Sequence, residues 1–161
     1  TIVDTGGGGG YELQQLIANA NFASGSSGWT LSGNFQADSR FSTCRCCPGY
    51  AYLANADGSA GNNLSGTLSQ SFTIPANAVE AALDFWHRTT TAETGGAIDR
   101  LNVRLRLANN SLVGLADIWN TDANAAYAQR SIDLTAYKGQ TVTLEFFGTT
   151  SASALKWSRP C

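Results

Sequence analysis

The chain has 161 residues, 43% of them hydrophobic and 14% charged, with 17 glycines and a net charge of −2. A chain of this length buries roughly 70% of its unfolded surface in one domain, which excludes an obligatory metal staple and a disordered chain. The charge balance supplies neither the positive field that holds phosphate backbones nor a polybasic membrane patch, so nucleic acid is excluded as a partner. No apolar run approaches the ~20 residues of a bilayer span.

In chain order, TIVDT is a short β-prone piece, and the pentaglycine Gly6 to Gly10 after it reads as a tether without packing of its own. Residues 1–10 are therefore assigned as a tail, and residues 11–161 as a single domain. YELQQLIANANF is ambiguous, because Leu13, Leu16, Ile17 and Ala20 fit one helical face; the turn-rich ASGSSG that follows favours a strand. Beyond Trp29, short alternating segments follow one another between clusters of Gly, Asn, Asp and Ser. SQSFTI ends at Pro75. ALDFWHR places Leu83, Phe85 and His87 on one face, with Asp84, Trp86 and Arg88 on the other. LNVRLRL directs Leu101, Val103, Leu105 and Leu107 inward and Asn102, Arg104 and Arg106 outward, and Asn109-Asn110 turns the chain into SLVGLADIW. SIDL adds Ile132 and Leu134, and TVTLEFF adds Val142, Leu144 and Phe146. Nine or ten strands without a substantial helix predict an all-β fold of two antiparallel sheets packed face to face.

A single histidine, His87, removes most familiar catalysis, because a Ser/His/Asp triad or a multi-histidine metal site would need that one ring. Its neighbours in sequence, Asp84, Arg88 and Glu93, include no nucleophile and no paired carboxylates that complete a mechanism. The sequence therefore predicts a protein that is not an enzyme and needs no cofactor. Cys44, Cys46 and Cys47 cluster while Cys161 ends the chain. Four thiols with one adjacent pair make a strained zinc site, so disulfides are expected, together with an extracellular or cell-surface location and a leader removed before Thr1. The triplets at Asn63 and Asn109 fit the N-glycosylation pattern.

The order of LIANANFASGSSGWTLSG, GYAYLANADG, LSQSFTIP, ALDFWHRTTTAE, DRLNVRLR and RSIDLTAYKGQTVTLEFFGTT resembles jelly-roll modules, similar to galactose-binding-like and carbohydrate-binding domains of secreted bacterial proteins. Asn19, Phe22, Gly25, Gly28 and Trp29 carry its opening motif, and Asp133 to Val142 its late one. The resemblance implies a β-sandwich (jelly roll) and a C-x-x-C loop at Cys44 and Cys47, leaving Cys46 and Cys161 as the second pair, within or between chains. It also implies a structural calcium held by an acid after the Phe and by acids in the closing strand. Here Ala23 and LKWSRPC stand at those places, so no metal is expected, and the closing strand is truncated or replaced.

Two functions follow. An incomplete jelly roll and a tethered β-prone tail predict a self-assembling surface or filament subunit, in which Thr1, Ile2, Val3, Asp4 and Thr5, carried by Gly6 to Gly10, add as a strand to another copy. The alternative is a carbohydrate-binding module recognising a polysaccharide. An indole on a loop among carboxamides and carboxylates is what a sugar platform needs, so Trp119, Asn120 and Asp122 are its candidate contacts, with Tyr50 and Tyr52, which alternate with Ala on a strand, as further ones lining a cleft.

Overall fold

The computed structural model describes residues 2–4, 13–39, 49–57, 59, 61–90, 96–122, 126–151 and 156–158. The four cysteines, and with them both expected disulfides, lie outside these residues, as do Thr1, Thr5, Gly6 and Gly10.

Twelve strands are described: β1 (Ile2–Asp4), β2 (Leu13–Gln15), β3 (Thr30–Gly33), β4 (Phe35–Asp38), β5 (Tyr50–Leu53), β6 (Ser65–Thr73), β7 (Glu80–Thr90), β8 (Arg100–Arg106), β9 (Leu112–Trp119), β10 (Ala128–Asp133), β11 (Thr141–Thr149) and β12 (Lys156–Ser158). All pair antiparallel. One sheet runs β3-β6-β11-β8-β9, a second runs β10-β7-β1-β2 with β12 also on β7, and β4-β5 forms a ribbon. Two 3-10 turns, Asn120–Asp122 and Thr135–Tyr137, are the helical elements among the described residues.

Alternation dictates the sandwich. Leu68 and Phe72 of β6, Leu101, Val103 and Leu105 of β8, and Val142, Leu144 and Phe146 of β11 all point inward and are buried. They meet Ala81, Leu83 and Phe85 of β7, and Phe85 packs edge-on against Phe146 with ring centroids 5.4 Å apart. A one-residue slip of β8 would put its three arginines into this layer and its leucines into water, so burial fixes the register.

Both sequence motifs of the resemblance turn out to be structural. In the opening one, Asn19 (φ 45°) donates from Nδ2 to the carbonyls of Gly25 and Ser27, accepts from the Ser24 amide, and its own carbonyl receives the Trp29 indole N–H. Phe22 and Trp29 then stack at 5.3 Å in the core. Gln70 clamps the motif to β6, accepting from the Ala18 amide and donating to the carbonyls of Ala18 and Gly28. In the late motif Leu134 is fully buried, and Gly139, at φ 76°, donates to the Ile74 carbonyl.

One expectation is narrowed, and two pairings bear on the chain ends. Among the described residues 13–22, the strand covers only Leu13–Gln15 and the chain then breaks into turns, because Ile17 and Phe22 are buried from a non-periodic path. At the place of the closing strand, the three-residue β12 pairs with Arg88–Thr90 of β7. Finally, β1 pairs within its own chain. It lies on its own β7 and between β7 and β2, with Ile2 opposite Ala82 and Gln15. The physical reason is the length of β7. Its eleven residues outrun β12, leaving the backbone of Glu80–Ala82 in need of partners, and a segment of the same chain supplies them without the entropic cost of recruiting a neighbour.

Candidate functional site

The outward face of the five-stranded sheet is assembled by the same alternation that buries its leucines. Register places Ser65, Thr149, Arg100 and Trp119 in one row across the strands; Ser32, Thr67, Phe147, Asn102 and Asp117 in the next; and Thr30, Ser69, Glu145, Arg104 and Gly114 in a third. A fourth row holds Ser71, Thr143, Arg106 and Leu112.

Hydrogen bonds order this surface. Arg104 donates from Nε to Glu145 Oε2 at 2.8 Å, and Arg106 donates from Nε to Oε1 at 2.6 Å and from Nη2 to Oε2 at 3.3 Å. Although Glu145 faces away from the core, the two guanidinium groups cover it to 6% exposure. Burial alone would raise its pKa, but hydrogen bonds from Arg106 and then Arg104, with their charges, outweigh it and hold the carboxyl below its ordinary value. Asp117 accepts from Arg100 Nε at 2.7 Å and Asn102 Nδ2 at 2.8 Å, and the bond from Arg100 is the main reason its pKa is lowered too. The arginines also lie against aromatic rings, Arg104 at 4.6 Å from the Phe147 centroid and Arg100 at 5.4 Å from that of Trp119. Toward β6, Ser71 and Thr143 share a hydrogen bond at 2.6 Å, and Thr73 and Thr141 one at 2.7 Å.

Such a face can bind a flat, hydroxyl-rich chain. Trp119 and Phe147 are half-buried and rigidly placed, and donors and acceptors surround them, which is the composition that orients a sugar by apolar contact and hydrogen bonding together. Among the described residues no group of three or more His, Cys, Asp or Glu is placed to hold a metal ion.

The candidates read from the sequence are distributed unevenly. Trp119 stands at the end of β9 on this face. Asp122 follows it in the 3-10 turn, exposed, and accepts from the Trp119 backbone N–H at 2.9 Å. Asn120 is different, being 2% exposed: its Oδ1 accepts from the Ile98 and Asp99 amides and its Nδ2 donates to the Gly96 carbonyl, so it pins the loop before β8 and is not presented to a ligand. Tyr50 and Tyr52 are on the β4-β5 ribbon, half-buried, with ring centroids 5.3 Å apart, and the Tyr52 hydroxyl donates to Gln36 Oε1. Trp86 is half-buried on the outer side of β7 opposite Gln129. Arg100, Asn102, Asp117, Glu145 and Phe147 were missed as a group. The outward positions of RLNVRLR and TVTLEFF were readable, but not that β8 and β11 are neighbours in this register.

No family model and no curated protein matches the sequence. Solved structures do match its fold. A CBM61 module in complex with β-1,4-galactotriose aligns over 90% of this chain and 94% of its own with a TM-score of 0.65 at 12% identity. A family 16 carbohydrate-binding module aligns over 89% and 95% with a TM-score of 0.55 at 16% identity, and CBM28, specific for non-crystalline cellulose, over 91% and 92% with 0.54 at 10%. The chain thus has the β-sandwich fold of carbohydrate-binding modules, as the resemblance implied.

Proposed function

We propose that the protein is a non-catalytic, extracellular carbohydrate-binding module that takes an extended polysaccharide across the outward face of β6, β11, β8 and β9. The observation that carries the reading is the surface itself: Trp119 and Phe147 held among a hydrogen-bonded carpet of Asn102, Asp117, Glu145 and arginines, on a sheet stiffened by pairing on both sides. Side chains already ordered before the ligand arrives lose little entropy on binding, which favours affinity from few contacts. The fold is compatible, since modules of this architecture bind glycans, although fold alone assigns no ligand.

The filament reading is not retained. Its two motives were a missing strand and an unemployed tail, and β12 and β1 account for both within one chain.

Affinity electrophoresis through gels containing soluble glucan, xylan, galactan or polygalacturonate tests the proposal. Retardation by at least one polymer is expected, and Trp119→Ala should weaken it tenfold or more while the variant still unfolds cooperatively. Migration unaffected by every polymer would refute the reading.

A further inference from the structure

The charges on this face do not balance. Arg100 and Asp117 form one pair, but Arg104 and Arg106 share the single carboxylate of Glu145, so a positive charge is left over at the centre of the platform in a chain whose net charge is −2. The arrangement also decides which atoms are left over. Glu145 and Asp117 engage the Nε atoms of Arg104 and Arg100, and among the described residues the Nη groups of both arginines have no partner. Each guanidinium is held at Nε by a carboxylate and lies against an aromatic ring, Phe147 or Trp119, so its remaining donors form a fixed planar fork. A fork of this kind matches a carboxylate in two parallel hydrogen bonds, whereas a neutral hydroxyl uses only part of it.

Access is provided on the same row. The β9 residue opposite Arg104 is Gly114, and a Cβ built there meets nothing within 4 Å, so a notch beside Arg104, whose own side chain is 18% exposed, is left unfilled. Arg100 and Arg104 are four residues apart on one strand, roughly 13 Å, and the arginine row reaches roughly 20 Å as far as Arg106. That spacing spans several sugar units, so the two forks would read separate, non-adjacent units of one extended polymer.

Resting on the carbohydrate reading, we infer that the ligand is a polysaccharide carrying carboxylates, a uronic-acid polymer, read by the Nη fork of Arg104 through the notch at Gly114 and by that of Arg100 beside Trp119.

Calorimetric titration with polygalacturonate and with its methyl-esterified counterpart tests this. The free acid should bind at least tenfold more tightly than the ester, with the difference shrinking as salt is raised. Arg104→Lys keeps the charge and loses the fork, and should weaken binding of the acid at least fivefold. Gly114→Leu, a side chain added into open space on an exposed strand, should do the same without disturbing the fold. Equal binding of acid and ester would overturn the inference and leave the carbohydrate reading standing. Equal binding of dextran sulfate would overturn it in favour of bare charge density, and binding of the acid indifferent to both substitutions would place recognition elsewhere. Failure to bind these polymers and every neutral glycan would remove both readings together.

Discussion

The two sheets of the sandwich handle their polar side chains in opposite ways. On the five-stranded sheet, Glu145, Asn102 and Gln70 are each buried to under a tenth exposure, and each has its partners: two guanidiniums, a carboxylate, and three backbone groups of the Ala18–Gly28 turn. On β7 of the other sheet, the inward row Ala81, Leu83 and Phe85 continues into His87 and Thr89, which are buried at 4% and 1% exposure, with both imidazole nitrogens and the Thr89 hydroxyl unpartnered among the described residues. A buried polar group with partners orders its surroundings, and one without them only subtracts from stability. The first sheet is therefore the more pre-organised one, and its outer face is the one proposed to recognise a ligand. The second holds the end of the core that is easiest to open.

The contrast can be broken most severely at Asn120. Its side chain satisfies two amides and a carbonyl of the loop entering β8, so Asn120→Ala should cost about 2 to 3 kcal/mol in urea unfolding. A cost below about 0.5 kcal/mol would mean that water replaces it freely.

Glu145→Ala comes next, at about 1 to 2 kcal/mol near neutral pH, discounted because Arg106 is partly exposed. The folded-state pKa of Glu145 lies below the ordinary 4.5, so its contribution is complete above that pH and disappears as pH falls through the lowered folded value. The difference between wild type and variant should accordingly narrow in acid. A difference that stays constant down to the acid limit would show that the pair contributes through packing instead.

The smallest effect is at His87. Burial, and second the charge of Arg130, push its pKa below 6.5, with Asp122 opposing. The unfolded chain therefore takes up the proton first, and wild-type stability should fall as pH drops below 6.5. His87→Leu removes the unpartnered nitrogens and should raise stability by about 1 kcal/mol at pH 7 and by more at lower pH. Destabilisation by this change would mean that the ring has a partner in the folded protein.

Much of this architecture was legible in the sequence because period-two alternation is a local signal. The burial of Leu101, Val103, Leu105, Val142, Leu144, Phe146 and Phe85 and the outward direction of Arg104 and Arg106 follow from it directly. The candidate site was half legible. Trp119 stands out as an aromatic beside polar residues, yet Asn120, next to it and chemically just as suitable, is consumed by the loop it pins. Phe147 and Glu145 acquire meaning only from strand neighbours more than forty positions away, a pairing that no local pattern encodes. The partner of β1 was not legible for a related reason: a short β-prone tail specifies that it will pair, and the backbone of Glu80–Ala82 supplies the partner within this chain.

The central claim, that the outward face of the five-stranded sheet is the binding surface, is tested most directly by mapping amide NMR shifts while the polysaccharide that binds is titrated as short oligomers. Perturbations concentrated at Thr67, Asn102, Arg104, Asp117, Trp119 and Phe147 are expected. Perturbations centred instead on Asp84, Trp86 and Gln129, on the outer side of the β7-β10 pair, would contradict the account.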